Sequence, residues 1–134
     1  MREILFRGKP IGGGEFIYGH YTEHKGVAQI WIGSDNGQWN YLVSPETVGQ
    51  FTGLTDKNGK KIFEGDIIKH YNRDDNPTSF DVGRVFWDST KCRWLRTSQK
   101  CDYNPEMWSS SAKGYVIIGN IHDNPELLEV TDNA

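Results

Sequence analysis

The chain predicts a mainly β fold: an antiparallel sheet with an SH3-like, barrel-type core and two or three short helices. Aromatic residues reach 13% while hydrophobic residues total only 36%, with five Trp, six Tyr and six Phe. That balance suits half-buried sheet faces better than a helical bundle. Fifteen Gly in 134 residues imply many turns. Short apolar runs alternate with turn signals along the whole length, and no composition break divides them. Residues 1–134 therefore read as a single domain, long enough to bury a core without disulfides or a metal.

Taken in order, Ile4-Leu5-Phe6 is a first strand ending at Arg7-Gly8-Lys9-Pro10, and Gly12-Gly13-Gly14 is a turn. Residues 15–21 have strand composition, 22–26 are turn-like, and 27–32 form the next strand. Ser34-Asp35-Asn36-Gly37 is a strong turn because Asn-Gly tolerates positive φ, and residues 39–43 return from it. Ser44-Pro45-Glu46-Thr47 reads as a short helix start, with Ser as cap, Pro at the first position and Glu at the positive end of the dipole. The same pattern recurs at Asn104-Pro105-Glu106 and at Asn124-Pro125-Glu126. Residues 50–54 lead into Asp56-Lys57-Asn58-Gly59, a hairpin turn with Gly in the left-handed position. The calcium-loop pattern is not met there, since Gly is fourth instead of sixth and Thr or Lys fills ligand slots. Residues 60–63 climb to the Glu64-Gly65-Asp66 corner and 67–71 follow as a strand. Residues 72–79 form a polar loop, 80–87 an alternating strand and 92–96 its return. The closing strand, 114–121, is almost continuously apolar and is expected to be buried on both faces.

A net charge of −3 and a pI near 5.8 leave no global basic field for nucleic acid or an anionic membrane. MREILFRGK is not a signal peptide, because its apolar run is short and carries Glu3 beside it. No run is long enough for a membrane span. A cytoplasmic protein with Cys92 and Cys101 as reduced thiols is the expectation.

Four stretches in order carry a resemblance: Arg2 to Lys9, Pro45 to Leu54, Asp56 to Ile68 and Ile118 to Leu128. Together they resemble the YopX family of phage and prophage proteins. The resemblance implies a mainly β fold encoded in bacterial mobile elements, and it brings no activity and no catalytic residue. His122 stands where the family often has Tyr.

Candidate chemistry is thin. Glu64, Asp66, His70, Asp74, Asp75, His122 and Asp123 are the acid/base groups an enzyme would draw on. In a Glu-Gly-Asp corner, however, the Asp more readily bonds backbone amides. His20, His24, Cys92 and Cys101 lack metal-site spacing. No catalytic residue, metal or cofactor is therefore assigned. Gly53, Asp56, Gly59, Glu64, Gly65, Asp66, Gly119 and Asn120 read as structural motif residues. Residues 87–100 interleave Lys91, Arg93, Arg96 and Lys100 with Trp87 and Trp94, a pattern that could hold phosphates and stack bases. The function expected first is a non-enzymatic binding or assembly protein that self-associates or meets a host or phage protein. A nucleic-acid-binding accessory factor using Lys91, Arg93, Trp94, Arg96 and Lys100 is the alternative, and an enzyme of unknown reaction the third.

Overall fold

Ten strands form among the described residues of the computed structural model, which are 3–34, 37–71, 80–100, 102–107 and 114–129. They are β1 (Phe6–Gly8), β2 (Ile17–His24), β3 (Val27–Ser34), β4 (Gly37–Leu42), β5 (Gly49–Thr55), β6 (Lys61–Phe63), β7 (Asp66–Tyr71), β8 (Phe80–Asp88), β9 (Arg93–Arg96) and β10 (Tyr115–Asn120). Pro45–Thr47 and Pro125–Leu128 are single 3₁₀ turns. The mainly antiparallel β class expected from aromatic content and turn spacing is what forms. The chain makes two compact units, Met1–Phe51 and Thr52–Ala134.

In the first unit the strand order is β4–β3–β2–β1, with the start of β5 beside β1. The β2–β3 hairpin is tighter than residues 22–26 suggest, because His24 pairs directly with Val27. Lys25 at φ 52 and Gly26 at φ 80 form the two-residue turn, whose twist matches that of the strands. Alternation sends Ala28 and Ile30 to one face, where they form a core with Val43, flanked by Phe6, Ile17, Tyr21 and Val48. The opposite face is wet. There Trp31 Nε1 donates to Thr22 Oγ1 at 2.7 Å and Asn40 Nδ2 donates to Gln29 Oε1 at 2.9 Å. Arg7, though buried, sets its guanidinium 4.1 Å from the centroid of the Phe16 ring.

In the second unit β10–β7–β8–β9 is one sheet, and the end of β5 pairs with β6. Its core is Ile62, Ile68, Val85, Met107 and Tyr115, with Leu54, Trp94 and Ile117 packed against it. Fully burying one such aliphatic side chain contributes about 1.5–3 kcal/mol. Ile62, Ile67 and Ile68 are the anchors, each at 0% exposure. Gly83 is required by close approach, since a Cβ there would lie 1.9 Å from the Thr97 carbonyl oxygen. That crowding lets Thr97 N donate to Arg84 O and Thr97 Oγ1 accept from Arg84 N.

Three details differ from the sequence expectation. Asn104-Pro105-Glu106 makes no helix. Glu106 instead bridges Leu95, with Arg96 N donating to Pro105 O and Met107 N to Trp94 O. Burial of Met107 at 7% exposure favours the extended form over a helical turn. Ser44 and Asn124 precede their 3₁₀ turns, but neither side chain caps them; Asn124 Oδ1 accepts from Asn120 N at 3.3 Å. Strand β10 is an edge strand that is half-buried beyond Tyr115. An apolar run reports low water exposure without saying how many neighbours supply it.

Candidate functional site

The basic and aromatic stretch at 87–100 folds as the β8–β9 hairpin, pairing Val85 with Arg96 and Trp87 with Trp94. Alternation then sorts its side chains. Trp94 packs on the core and meets Trp87 edge-on, their centroids 5.1 Å apart. Arg93 points outward and pairs with Glu106 at 2.9 Å. Lys91 and Lys100 are exposed, Lys91 N donating to Asp88 Oδ1 and Lys100 N to Ser98 Oγ. Arg96 goes the other way: its side chain is only 6% exposed and bonds Asp81 Oδ2 through Nη1 at 2.8 Å. The five residues are therefore not one surface, because strand alternation drew Arg96 inside toward a buried acid.

That acid is the centre of a polar cluster in the second unit. Asp81 also accepts from Ser98 Oγ at 2.5 Å, from Gln99 N at 2.9 Å and from Val82 N at 3.0 Å. Burial by itself would raise its pKa. Hydrogen bonds from Arg96, Ser98 and Gln99, with the Arg96 charge, outweigh burial and hold the carboxyl below its ordinary range. Arg96 Nη2 lies 3.1 Å from His70 Nδ1, whose ring packs 4.8 Å from that of Tyr115. Burial first, and the Arg96 charge second, push the His70 pKa down against the opposing pull of Asp81. Because the Arg96 guanidinium can only donate, Nδ1 is its acceptor, which matches a ring whose pKa is lowered. Arg96 Nε meets no acceptor among the described residues. With four donors already on its carboxylate, Asp81 is a fastener joining β8, β9 and the segment after β9. The sequence signal for it was a single Asp at a core-facing position in Phe80-Asp81-Val82-Gly83-Arg84-Val85. A buried carboxylate there demands a cation.

The other acidic motif residues also serve the backbone. Asp56 Oδ1 accepts from Asn58 N and Lys60 N, and its Oδ2 from Ile117 N. Asp66 Oδ2 accepts from Phe63 N at 2.8 Å. Gly65, at φ 92, turns the corner between them, donating to Val85 O and accepting from Ile121 N; Glu64 beside it is half-buried. Gly59 takes the positive φ its turn needs, and Gly53 takes one within β5. Asn120 Oδ1 accepts from His122 N and Asp123 N, and Gly119 lies against Asn124. Among the described residues no three His, Cys, Asp or Glu side chains converge as metal ligands. Asp74, Asp75 and Cys101 lie outside them, and Cys92 is exposed.

The surface that stands out is β4, Gly-Gln-Trp-Asn-Tyr-Leu, all six residues of which are exposed. Trp39 is 52% exposed, Tyr41 43% and Leu42 49%. Trp39 and Tyr41 pair with Ile32 and Ile30 of β3, so their rings lie on the core face of the sheet, where it runs out uncovered. Val43 N donates to Ala28 O; the alternation of an antiparallel ladder then turns the backbone groups of Tyr41 and Trp39 toward β3. Those of Gln38, Asn40 and Leu42 point outward. At its Leu42 end this edge is covered: Pro10 bridges Val43, Ile11 N donates to Leu42 O at 3.0 Å and Ser44 N to Lys9 O at 2.9 Å, so that only the outward groups of Gln38 and Asn40 meet no backbone partner among the described residues.

The family model described as YopX protein matches residues 15–129. The chain belongs to the YopX family. The crystal structure of protein EF1440 from Enterococcus faecalis is similar to it, with a TM-score of 0.60 and 25% identity over 96% of this chain and 100% of that one. No curated protein matches. Three of the four YopX-like stretches lie inside the matched residues, and they coincide with the 3₁₀ turn before β5, the β5–β6 turn, the Glu64-Gly65-Asp66 corner and the end of β10. In this chain those stretches are largely turn and corner chemistry. No helix among the described residues is long and apolar enough to cross a membrane.

Proposed function

We propose that this YopX-family protein is a non-enzymatic binding and assembly protein that self-associates, with β4 as its docking edge. The observation that carries the reading is the state of the sheet edges. Both edges of the β10–β7–β8–β9 sheet are occupied. On one, Lys57 N donates to Tyr115 O and Ile117 N to Asp56 Oδ2; on the other, residues 105–107 bond β9. The β4 edge, covered by Ile11 at Leu42, is open along Gln38 to Tyr41 and presents Trp39 and Tyr41 there without charge or proline. Soluble proteins ordinarily blunt such an edge, and an open one pairs with another strand. A phage or prophage protein at work in the host cytoplasm is in keeping with a role that needs a partner and no cofactor.

The test is the molar mass in solution by sedimentation equilibrium from low to high micromolar concentration. Mass rising reversibly toward a multiple of 15.3 kDa is expected. A monomer throughout would overturn self-association.

A further inference from the structure

We infer that the second unit carries a site for single-stranded nucleic acid on the outer face of its sheet, built from Lys57, Lys69, Tyr71 and Phe80. The inference goes beyond self-association and uses neither β4 nor residues 87–100. Alternation along β7 turns Ile68 and His70 inward, toward Tyr115, and so turns Lys69 and Tyr71 to the opposite face. Tyr71 pairs with Phe80 of β8, and the two rings meet edge-on with centroids 6.2 Å apart. Lys69 leans diagonally across the ladder and sets its Nζ 4.3 Å from the Phe80 centroid. Lys57 N donates to Tyr115 O, which fixes the β5–β6 turn beside β10. From there Lys57 Nζ comes within 5.4 Å of the Tyr71 centroid. Lys57, Tyr71, Phe80 and Lys69 thus follow one another as cation, ring, ring, cation.

Charge argues for the occupant. Among the described residues neither lysine head group has a hydrogen-bond or ion-pair partner beyond its ring. The charged residues that β7 and β8 place on this face are Lys69, Arg84 and, at the far end, Asp88. Arg84 lies over a ring too, 5.5 Å from the Phe86 centroid, and Asp88 Oδ1 already accepts from Thr90 N and Lys91 N. The face is therefore complementary to anions. A lysine over a half-exposed ring is weakly held, and its flexible stem lets it swing to an oxyanion and uncover the ring. Two cations flanking two rings match a polymer in which charge and flat rings alternate. A single strand offers phosphates to Lys57 and Lys69 and unstacked bases to Tyr71 and Phe80. A duplex keeps its bases inside, and an acidic peptide brings charge without rings. The whole chain carries a charge of −3, so the attraction is local, and binding is moderate and salt-dependent.

The experiment titrates the full chain into a labelled thymidine oligomer of about 15 nucleotides, within the usual reach of a small single-strand binder, and into its duplex with the complementary strand. Anisotropy is read over a range of salt. The single strand is expected to bind in the micromolar range, at least about fivefold tighter than the duplex, with log affinity falling against log salt at a slope of about −1.4 for two phosphates. Lys57→Gln with Lys69→Gln keeps the apolar stems, weakens binding at least about tenfold and removes most of that slope, and arginine at both positions restores it. Tyr71→Leu with Phe80→Leu costs at least about tenfold through lost stacking and leaves the slope in place. If the leucine pair fails to fold, by far-ultraviolet spectrum, the glutamine pair still decides. Lys91→Gln with Lys100→Gln makes the same change in charge elsewhere and shifts affinity by less than about twofold. No binding at low salt overturns the site. So does a duplex bound as tightly as the single strand, binding unmoved by the glutamine pair at 57 and 69, or equal competition by polyglutamate, which would make the ligand an acidic chain. Sedimentation decides self-association independently, so either reading can fail while the other stands.

Discussion

The two units handle the same problem in opposite ways. Each has a sheet with an aromatic-rich face that must end somewhere. In the second unit the ends are closed: residues 105–107 bond to β9, and Asp56 and Lys57 bond to β10. There even the buried charges are matched, Asp81 to Arg96. In the first unit β3 is sealed at Ile30, yet one strand further out Trp39 and Tyr41 lie open on the same face. A fold builds an interior by satisfying its edges, and a stretch left open to water is where the proposed self-association would act.

The strongest way to break that contrast is to attack the fastener. Asp81→Ala leaves Arg96 buried without its acid and is expected to cost about 3–5 kcal/mol, read by urea unfolding. A loss below about 1 kcal/mol would mean the cluster holds little together. Replacing Trp39 and Tyr41 together by Ser should do the reverse: stability moves by less than about 1 kcal/mol, as at exposed positions, while the rise in mass with concentration expected of the wild type is lost. A large fall in melting temperature would instead show those rings serving the interior.

Acid sharpens the comparison from the second unit's side. Because the His70 pKa is lowered in the fold, the unfolded chain takes up that proton first. Stability should therefore decline as pH falls below the ordinary imidazole value of 6.5. The Asp81 contribution persists further and is lost only as pH drops through its depressed value, below the ordinary 3.8. Melting curves between pH 8 and pH 5 should show the imidazole part of the decline in the wild type and a flatter profile in His70→Gln. The smallest effect belongs to Arg93→Ala. Its exposed pair with Glu106 should be worth about 0–1 kcal/mol, although it stands three residues from Arg96. If Arg93→Ala together with Lys91→Ala abolished salt-sensitive anisotropy of a labelled oligonucleotide, the basic hairpin would replace β4 as the proposed working surface.

Every strand was legible in the sequence to within a few residues, and so were the hairpin turn at Asp56-Lys57-Asn58-Gly59 and the Glu64-Gly65-Asp66 corner. These depend on local rules: side-chain alternation, positive φ at Gly, and a short carboxylate reaching nearby amides. The Asn104 segment misled because helix-start grammar is a weak preference, and burial of Met107 outweighs it. Arg96 and Arg93 looked alike because composition does not show which face of a hairpin meets a core. The partnership of Asp81 with Arg96, His70 and Ser98 joins residues up to 28 positions apart, and only sheet register brings them together. The same holds for β4. Residues 39–43 read as a strand, and the exposure of Trp39, Tyr41 and Leu42 follows from a place in the strand order that no short stretch of sequence encodes. Local chemistry determined what this chain is built from, and long-range pairing decided which of its apolar residues face water.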